Sequence, residues 1–197
     1  MLVVDDGSSD DTARIAQGAA DQVVRLGQNQ GKGFAVRAGV LQAAGDVIGY
    51  ADADMNVDPA YLNQVLPRLA AGADVVIGSR ALAEYAAAEG VSRLIAGGLV
   101  QVARRVLVLP SVRDTQCGFK FFRRAIGRQV FQRCLIRSFA FDIEALFVAR
   151  KLGARIVELP VRTAYRAEST FDVRRHLPHL LGDIVQIRRN DLAGRYR

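Results

Sequence analysis

The feature that most constrains this chain is the order of elements in residues 1–80, where short apolar runs alternate with helix-length segments across short polar links. Leu2–Val4, Val23–Leu26, Val47–Ala51 and Asp74–Gly78 have the length and content of strands. The stretches between them, about Thr12–Ala20, the segment from Gly33 to about Ala44, and Pro59–Ala71, have helical length. Ser9 and Asp10 can cap the first of these helices, Gly31-Lys32-Gly33 opens the second, and Pro59 sits near the first turn of the third. Strands and helices joined by links this short imply an α/β fold with a mostly parallel sheet flanked by helices.

The pattern changes after Arg80. Ala81–Leu109 is Ala-rich and reads as helical, with breaks expected at Gly90 and Gly97-Gly98. Phe119–Phe122 reads as extended and Ala125–Cys134 as a helix, followed by a helix over Asp142–Leu152 that Gly153 ends. A last strand is expected over Ile156–Leu159, then a basic terminal helix over Val173–Leu192, interrupted or kinked near Pro178. With no repeat, linker or low-complexity tract, the reading is one domain over 1–197.

The net charge of +7 points to an anionic partner, and arginines are dense from Arg104 onward. Nucleic acid is disfavoured because no recognition motif accompanies the charge. Cys117 and Cys134 have no paired spacing and read as small buried apolar residues in a reducing compartment. Met1 runs directly into Leu2-Val3-Val4, so no signal peptide is expected. The lipophilic stretch Leu94–Leu109 is broken by Gln101 and Arg104-Arg105, so no membrane span is expected either.

Four short strings carry chemistry. Asp52-Ala53-Asp54 follows an apolar strand directly, which places two hard oxygen ligands at a sheet edge. Ligands bind at that edge in open α/β sheets, and Mg²⁺ or Mn²⁺ held by two carboxylates and a diphosphate is the natural occupant. Asp5-Asp6-Gly7-Ser8 likewise follows a strand, where a carboxylate can accept from a base N–H or a ribose hydroxyl. Gly31-Lys32-Gly33 lets backbone N–H groups approach a phosphate at a helix start, with Lys32 adding a point charge; it lacks the spacing of a Walker loop. Gly78-Ser79-Arg80 ends a strand with a guanidinium that can clamp phosphate as a planar fork. His176 and His179 flank Pro178 without further metal ligands and read as partly exposed residues of a basic helix.

Taken in order, these strings resemble glycosyltransferase family 2, with its GT-A (nucleotide-diphospho-sugar transferase) fold. Asp114-Thr115-Gln116-Cys117-Gly118-Phe119-Lys120 and Phe139-Ala140-Phe141-Asp142-Ile143-Glu144 are similar to the polyprenyl-phosphate branch, closest to the dolichyl-phosphate β-glucosyltransferases. The resemblance implies a nucleotide-sugar-binding half over 1–80 and an acceptor-binding half over 81–197. It implies Asp6 at the nucleoside, Lys32 and Arg80 at the phosphates, Asp54 as the metal ligand, and Asp52 at ribose or metal. It also implies an acceptor-side carboxylate, Asp114 first and Asp142 second. For Asp142 and Glu144, capping a helix N-terminus is an equal alternative. Members of the family begin with one further strand, so the resemblance reads this chain as N-terminally truncated.

The expected activity is inverting transfer of a hexose, glucose from UDP-glucose first, to a polyprenyl or dolichyl phosphate, with Mg²⁺ or Mn²⁺. The alternatives are transfer to a soluble glycan or other hydroxyl, and a non-catalytic nucleotide-sugar-binding remnant. The expected setting is cytoplasmic and peripheral at the inner membrane face, in contact with anionic lipid, and a homo-oligomer is compatible with it.

Overall fold

A computed structural model describes residues 1–82, 109, 111–163 and 173–197. Most of the helical stretch expected over 81–109, with its Arg104-Arg105 pair, lies outside them, as do the side chains of Arg174, Arg175 and His176. The chain runs β1 (Leu2–Asp5), α1 (Thr12–Gln17), β2 (Gln22–Arg25), α2 (Lys32–Gln42) and β3 (Val47–Ala51). A 3₁₀ turn at Pro59–Tyr61 leads into α3 (Leu62–Ala70), then β4 (Val75–Ser79) and a second 3₁₀ turn at Arg80–Leu82. The second half holds β5 (Phe119–Arg123), α4 (Arg124–Arg133), α5 (Phe141–Lys151), β6 (Ile156–Pro160) and α6 (Val173–Leu192).

The strands form two sheets. β1 and β2 pair in parallel, and the larger sheet has the order β3-β5-β4-β6. β5 runs antiparallel to both β3 and β4, while β4 and β6 are parallel, so β5 alone is reversed. The mostly parallel sheet expected from the strand–helix alternation is therefore present with one reversed member, which enters after the alternation ends. Asp58 accepts from the Ala60 N–H at 2.8 Å and starts the Pro59 turn. The N-terminus of α1 is held by Asp10, which accepts from the Thr12 N–H at 3.0 Å, and α6 continues through Pro178 without a break.

Helices cover both faces of the larger sheet. Side chains alternate along β4: Val75 and Ile77 join Ile48, Phe122, Phe131 and Leu146 on one side, while Val76 joins Val65, Leu69, Phe119 and Leu159 on the other. All of β4 is buried, the expected position of a central strand.

Several arginines of the basic stretch beyond Arg104, together with Arg37, cap helix C-termini. Arg123 donates to the Ala73 carbonyl beyond α3 at 3.0 Å and to the Leu69 carbonyl in its last turn. Arg124 and Arg128 donate to the Ala44 and Ala43 carbonyls after α2, and Arg37 donates to the Phe131 carbonyl near the end of α4. A guanidinium satisfies carbonyls that have no intrahelical partner and meets the negative end of the helix dipole. Lys120, counted with the same basic set, is fully buried.

Candidate active site

The strand ends that carry the chemical strings converge on one cleft. β3 delivers Ala51, Asp52 and Asp54; β4 delivers Arg80; the segment entering β5 delivers Gln116, Cys117 and Gly118; Asn56, Val57 and Thr163 close the rim. The Asp52 N–H donates to the Gly118 carbonyl at 3.0 Å and extends the β3–β5 ladder beyond the strand. The Asp52 carboxylate lies directly against Gly118, where a Cβ would overlap it, so a larger residue there would displace the carboxylate. Met55, at φ 53, turns the chain sharply between Asp54 and Asn56.

Asp54 is exposed, and its carboxylate accepts from the Asn56 backbone N–H at 3.2 Å and from the Asn56 amide. Asp52 is half-buried and pairs with Lys32, whose Nζ lies 2.7 Å from Oδ1. Lys32 is the first residue of α2, and its position is set by its neighbours. Gly31 takes φ +94, and Gly33 packs against the Ile136 carbonyl and Phe141 Cβ, where a side chain would collide. The Lys32 ammonium also sits 5.7 and 5.9 Å from the ring centres of Phe139 and Phe141.

Asp114 holds Arg80 through three bonds. The Arg80 backbone N–H donates to Oδ2 at 3.0 Å, Nε donates to Oδ2 at 2.7 Å, and Nη2 donates to Oδ1 at 3.0 Å. Asp114 also accepts from the Gln116 N–H at 3.0 Å, and Glu158 of β6 accepts from the Asp114 N–H at 3.1 Å. Burial pushes the Asp114 carboxyl upward, but its bonds from Arg80, the guanidinium charge and the backbone N–H groups outweigh that and hold it below the usual range. Hydrogen bonding to Asp114, partly opposed by burial, raises Arg80 in turn. A carboxylate so engaged is a weak base, and in this geometry Asp114, the first acceptor-side candidate, braces Arg80.

Asp142, the second acceptor-side candidate, is 1% exposed and is not among the residues that line the cleft. Its Oδ1 accepts from the Tyr50 hydroxyl at 2.6 Å and from the Lys120 ammonium, which also donates to the Cys117 carbonyl at 2.6 Å. Nor does Asp142 cap α5, whose N-cap position is Ala140. Burial, followed by the Asp142 charge, pushes the Tyr50 phenol well up. Glu144 is buried too, accepting from the Leu135 and Ile136 N–H groups and from the Tyr196 hydroxyl at 2.6 Å. Asp6 does not line the cleft. Its two oxygens accept from the Gln30 and Gly31 N–H groups at 2.8 and 2.9 Å and so fasten the turn that presents Lys32.

Sequence reasoning missed Gln116, Asn56 and Lys120. Gln116 stood inside the string Asp114–Lys120 already noted, and Asn56 lies two residues beyond Asp54. The third carried a usable signal, a lysine within the run Phe119-Lys120-Phe121-Phe122.

The pattern described as Glycosyl transferase family 2 matches residues 1–131. A dolichyl-phosphate beta-glucosyltransferase of Dictyostelium discoideum is 30% identical over 98% of this chain and 64% of its own length. Those of Drosophila melanogaster and Homo sapiens are 36% and 33% identical, each over 82% of this chain and 54% of their own length. The chain thus spans about half to two thirds of these curated relatives. Among solved structures, glucosyl-3-phosphoglycerate synthase from Mycobacterium tuberculosis with phosphoglyceric acid superposes with a TM-score of 0.68 at 19% identity, over 94% of this chain and 68% of that one. The same enzyme with Mn²⁺ and UDP-glucose gives 0.65 at 19% identity, over 98% and 67%. These likenesses show a shared GT-A fold, and with the matched pattern and the sequence relatives they place the chain in glycosyl transferase family 2.

Proposed function

We propose that this chain carries the catalytic site for inverting transfer of glucose from UDP-glucose to a dolichyl or other polyprenyl phosphate. The observation that carries the reading is the convergence, on one cleft, of two carboxylates from the end of β3 and the Arg80 guanidinium from the end of β4, with Lys32 paired to the nearer carboxylate. The curated relatives of this chain are dolichyl-phosphate glucosyltransferases, and a solved structure of its fold holds Mn²⁺ with UDP-glucose.

The donor set suits a hard divalent cation. Asp52 and Asp54 offer oxygen ligands and leave the remaining positions for diphosphate and water, the usual arrangement for Mg²⁺ or Mn²⁺. When bound, the cation would neutralise charge on the departing diphosphate. Lys32 is close enough to exchange Asp52 for a phosphate oxygen, and Arg80, pre-set by Asp114, presents its donors without reorganising. Asp6 keeps a free lone pair on each oxygen, so a nucleobase N–H can share it with the turn it fastens.

The acceptor class follows from which bases the cleft offers. A hydroxyl acceptor requires a general base, whereas a phosphate is already anionic at neutral pH. Asp114 is committed to Arg80 and Asp142 is buried, which favours the phosphate. A polyprenyl phosphate acceptor puts the protein at the inner face of a membrane, and among the described residues no helix is long and apolar enough to cross one.

Calorimetry with UDP and Mn²⁺, followed by radiolabelled transfer from UDP-glucose to a short polyprenyl phosphate, tests the reading. Metal-dependent UDP binding and labelled lipid are expected. UDP binding without labelled lipid would favour the non-catalytic nucleotide-sugar-binding remnant, and absence of UDP binding would overturn both.

A further inference from the structure

Hydrogen bonding accounts for most polar groups around the cleft. Asp52 is taken by Lys32, Asp54 by the Asn56 amide and N–H, Arg80 by Asp114, and the Gln116 N–H by Asp114. Two buried side-chain atoms in the lining have no partner among the described residues, Gln116 Nε2 and Asn56 Oδ1. One is a donor and the other an acceptor, because Asn56 spends its own N–H group on Asp54. Leaving such atoms unpaired costs about 1–3 kcal/mol each, so native sites arrange partners for them.

The chemistry of the two atoms narrows the ligand. A phosphate oxygen satisfies Gln116 Nε2 but has no hydrogen to give Asn56 Oδ1. A cation satisfies Asn56 Oδ1 but repels the donor. An alcohol both gives and takes, and a ring carrying several hydroxyls serves both atoms at once. Gln116 shares its lining with Asp52, Asp54 and Arg80, on a segment whose Gly118 carbonyl accepts from the Asp52 N–H and whose Asp114 holds Arg80.

We infer that Gln116, with Asn56 in the same lining, reads a ring hydroxyl of the transferred hexose and thereby contributes to the choice of donor sugar. The inference rests on the nucleotide-sugar reading of this cleft. It separates the work of the site: the carboxylates, Lys32 and Arg80 hold a diphosphate common to all such donors, whereas Gln116 and Asn56 respond to what that diphosphate carries.

The test is binding, which needs no turnover. Calorimetry with Mn²⁺ would compare UDP, UDP-glucose and a series of UDP-deoxyglucoses, each lacking one ring hydroxyl, on the unaltered chain, Gln116→Leu and Gln116→Glu. The unaltered chain is expected to lose roughly 10–100-fold in affinity for one member of the series. Gln116→Leu is expected to bind UDP as before, to lose a similar factor for UDP-glucose, and to ignore removal of that same hydroxyl. Gln116→Glu, nearly the same shape, guards against misfolding of the leucine variant and is expected to shift the preference among the analogues. Equal weakening of UDP and UDP-glucose would overturn the inference, since Gln116 would then contact the diphosphate. Undiminished sensitivity to every deoxy position in both variants would overturn it as well. Failure of the unaltered chain to bind UDP would instead strike at the transferase reading itself, a separate result.

Discussion

Two lysine–aspartate pairs, Lys32–Asp52 and Lys120–Asp142, stand one step apart on the same face of the sheet. Tyr50 and Asp52 project from one side of β3, and their neighbours on the other strand are Lys120 and Gly118. At the inner step, α5 covers the pair: both side chains are within 2% of full burial, and Tyr50 completes the cluster. At the outer step the sheet ends and glycine replaces lysine on β5, and the Lys32 and Asp52 side chains are 26% and 36% exposed. The residue types are the same and the solvent differs. A pair sealed from water has no alternative partner and serves to hold its neighbours in register. A pair at the open edge can trade its partner for a phosphate or a cation, because water and ligand compete there on similar terms.

The sharpest way to break this contrast is to remove one member of the inner pair. Lys120→Met leaves the Asp142 charge buried and should cost about 3–5 kcal/mol in urea unfolding. The double variant Lys120→Met with Asp142→Leu should recover most of that, and an unchanged Lys120→Met would refute burial of the pair. At the outer edge the effects should fall on binding. Asp54→Ala should leave unfolding within about 0.5 kcal/mol of the parent. It should lower Mn²⁺-dependent affinity for UDP by roughly 30–100-fold, or about 2–3 kcal/mol, in calorimetry. Lys32→Met, which removes a partly solvated pair, should shift stability by less than about 1 kcal/mol. Its loss in UDP affinity should be roughly tenfold.

The smallest effect concerns acid. Asp114 is depressed in the folded chain, so its contribution to stability is complete above its ordinary value of 3.8 and fades as pH falls through the lower folded value. In acid titration followed by circular dichroism, Asp114→Asn should flatten the part of the unfolding curve below pH 3.8. An acid limb identical to the parent's would mean that Arg80 does not hold Asp114 in solution.

The contrast also explains what could be read from the sequence. Strands and helices were readable because apolar runs, Gly31, Pro59 and Gly153 mark them locally. The outer edge was readable because Asp52, Asp54 and Arg80 directly follow strands, and strand ends of one direction converge. The inner cluster was not, because Asp142 at a helix start looks like a cap, and its partner is reached only when α5 folds over β5. The arginine caps escaped for the same reason. Arg37 and the carbonyl it serves on Phe131 lie 94 residues apart, and Arg124 and the Ala44 carbonyl lie 80 apart. A guanidinium that serves a distant carbonyl is indistinguishable, in sequence, from one that faces solvent.

The tie between β1 and the turn before α2 bears on the energetics of binding. β1 packs on α2, and Asp6, directly after it, grips the Gln30–Gly31 turn. Local opening of such a segment occurs far below the free energy of global unfolding. Each opening would slacken the hinge that aims Lys32, so amide exchange at Val3 and Val4 should slow when a nucleotide diphosphate settles at the far end of α2's first turn.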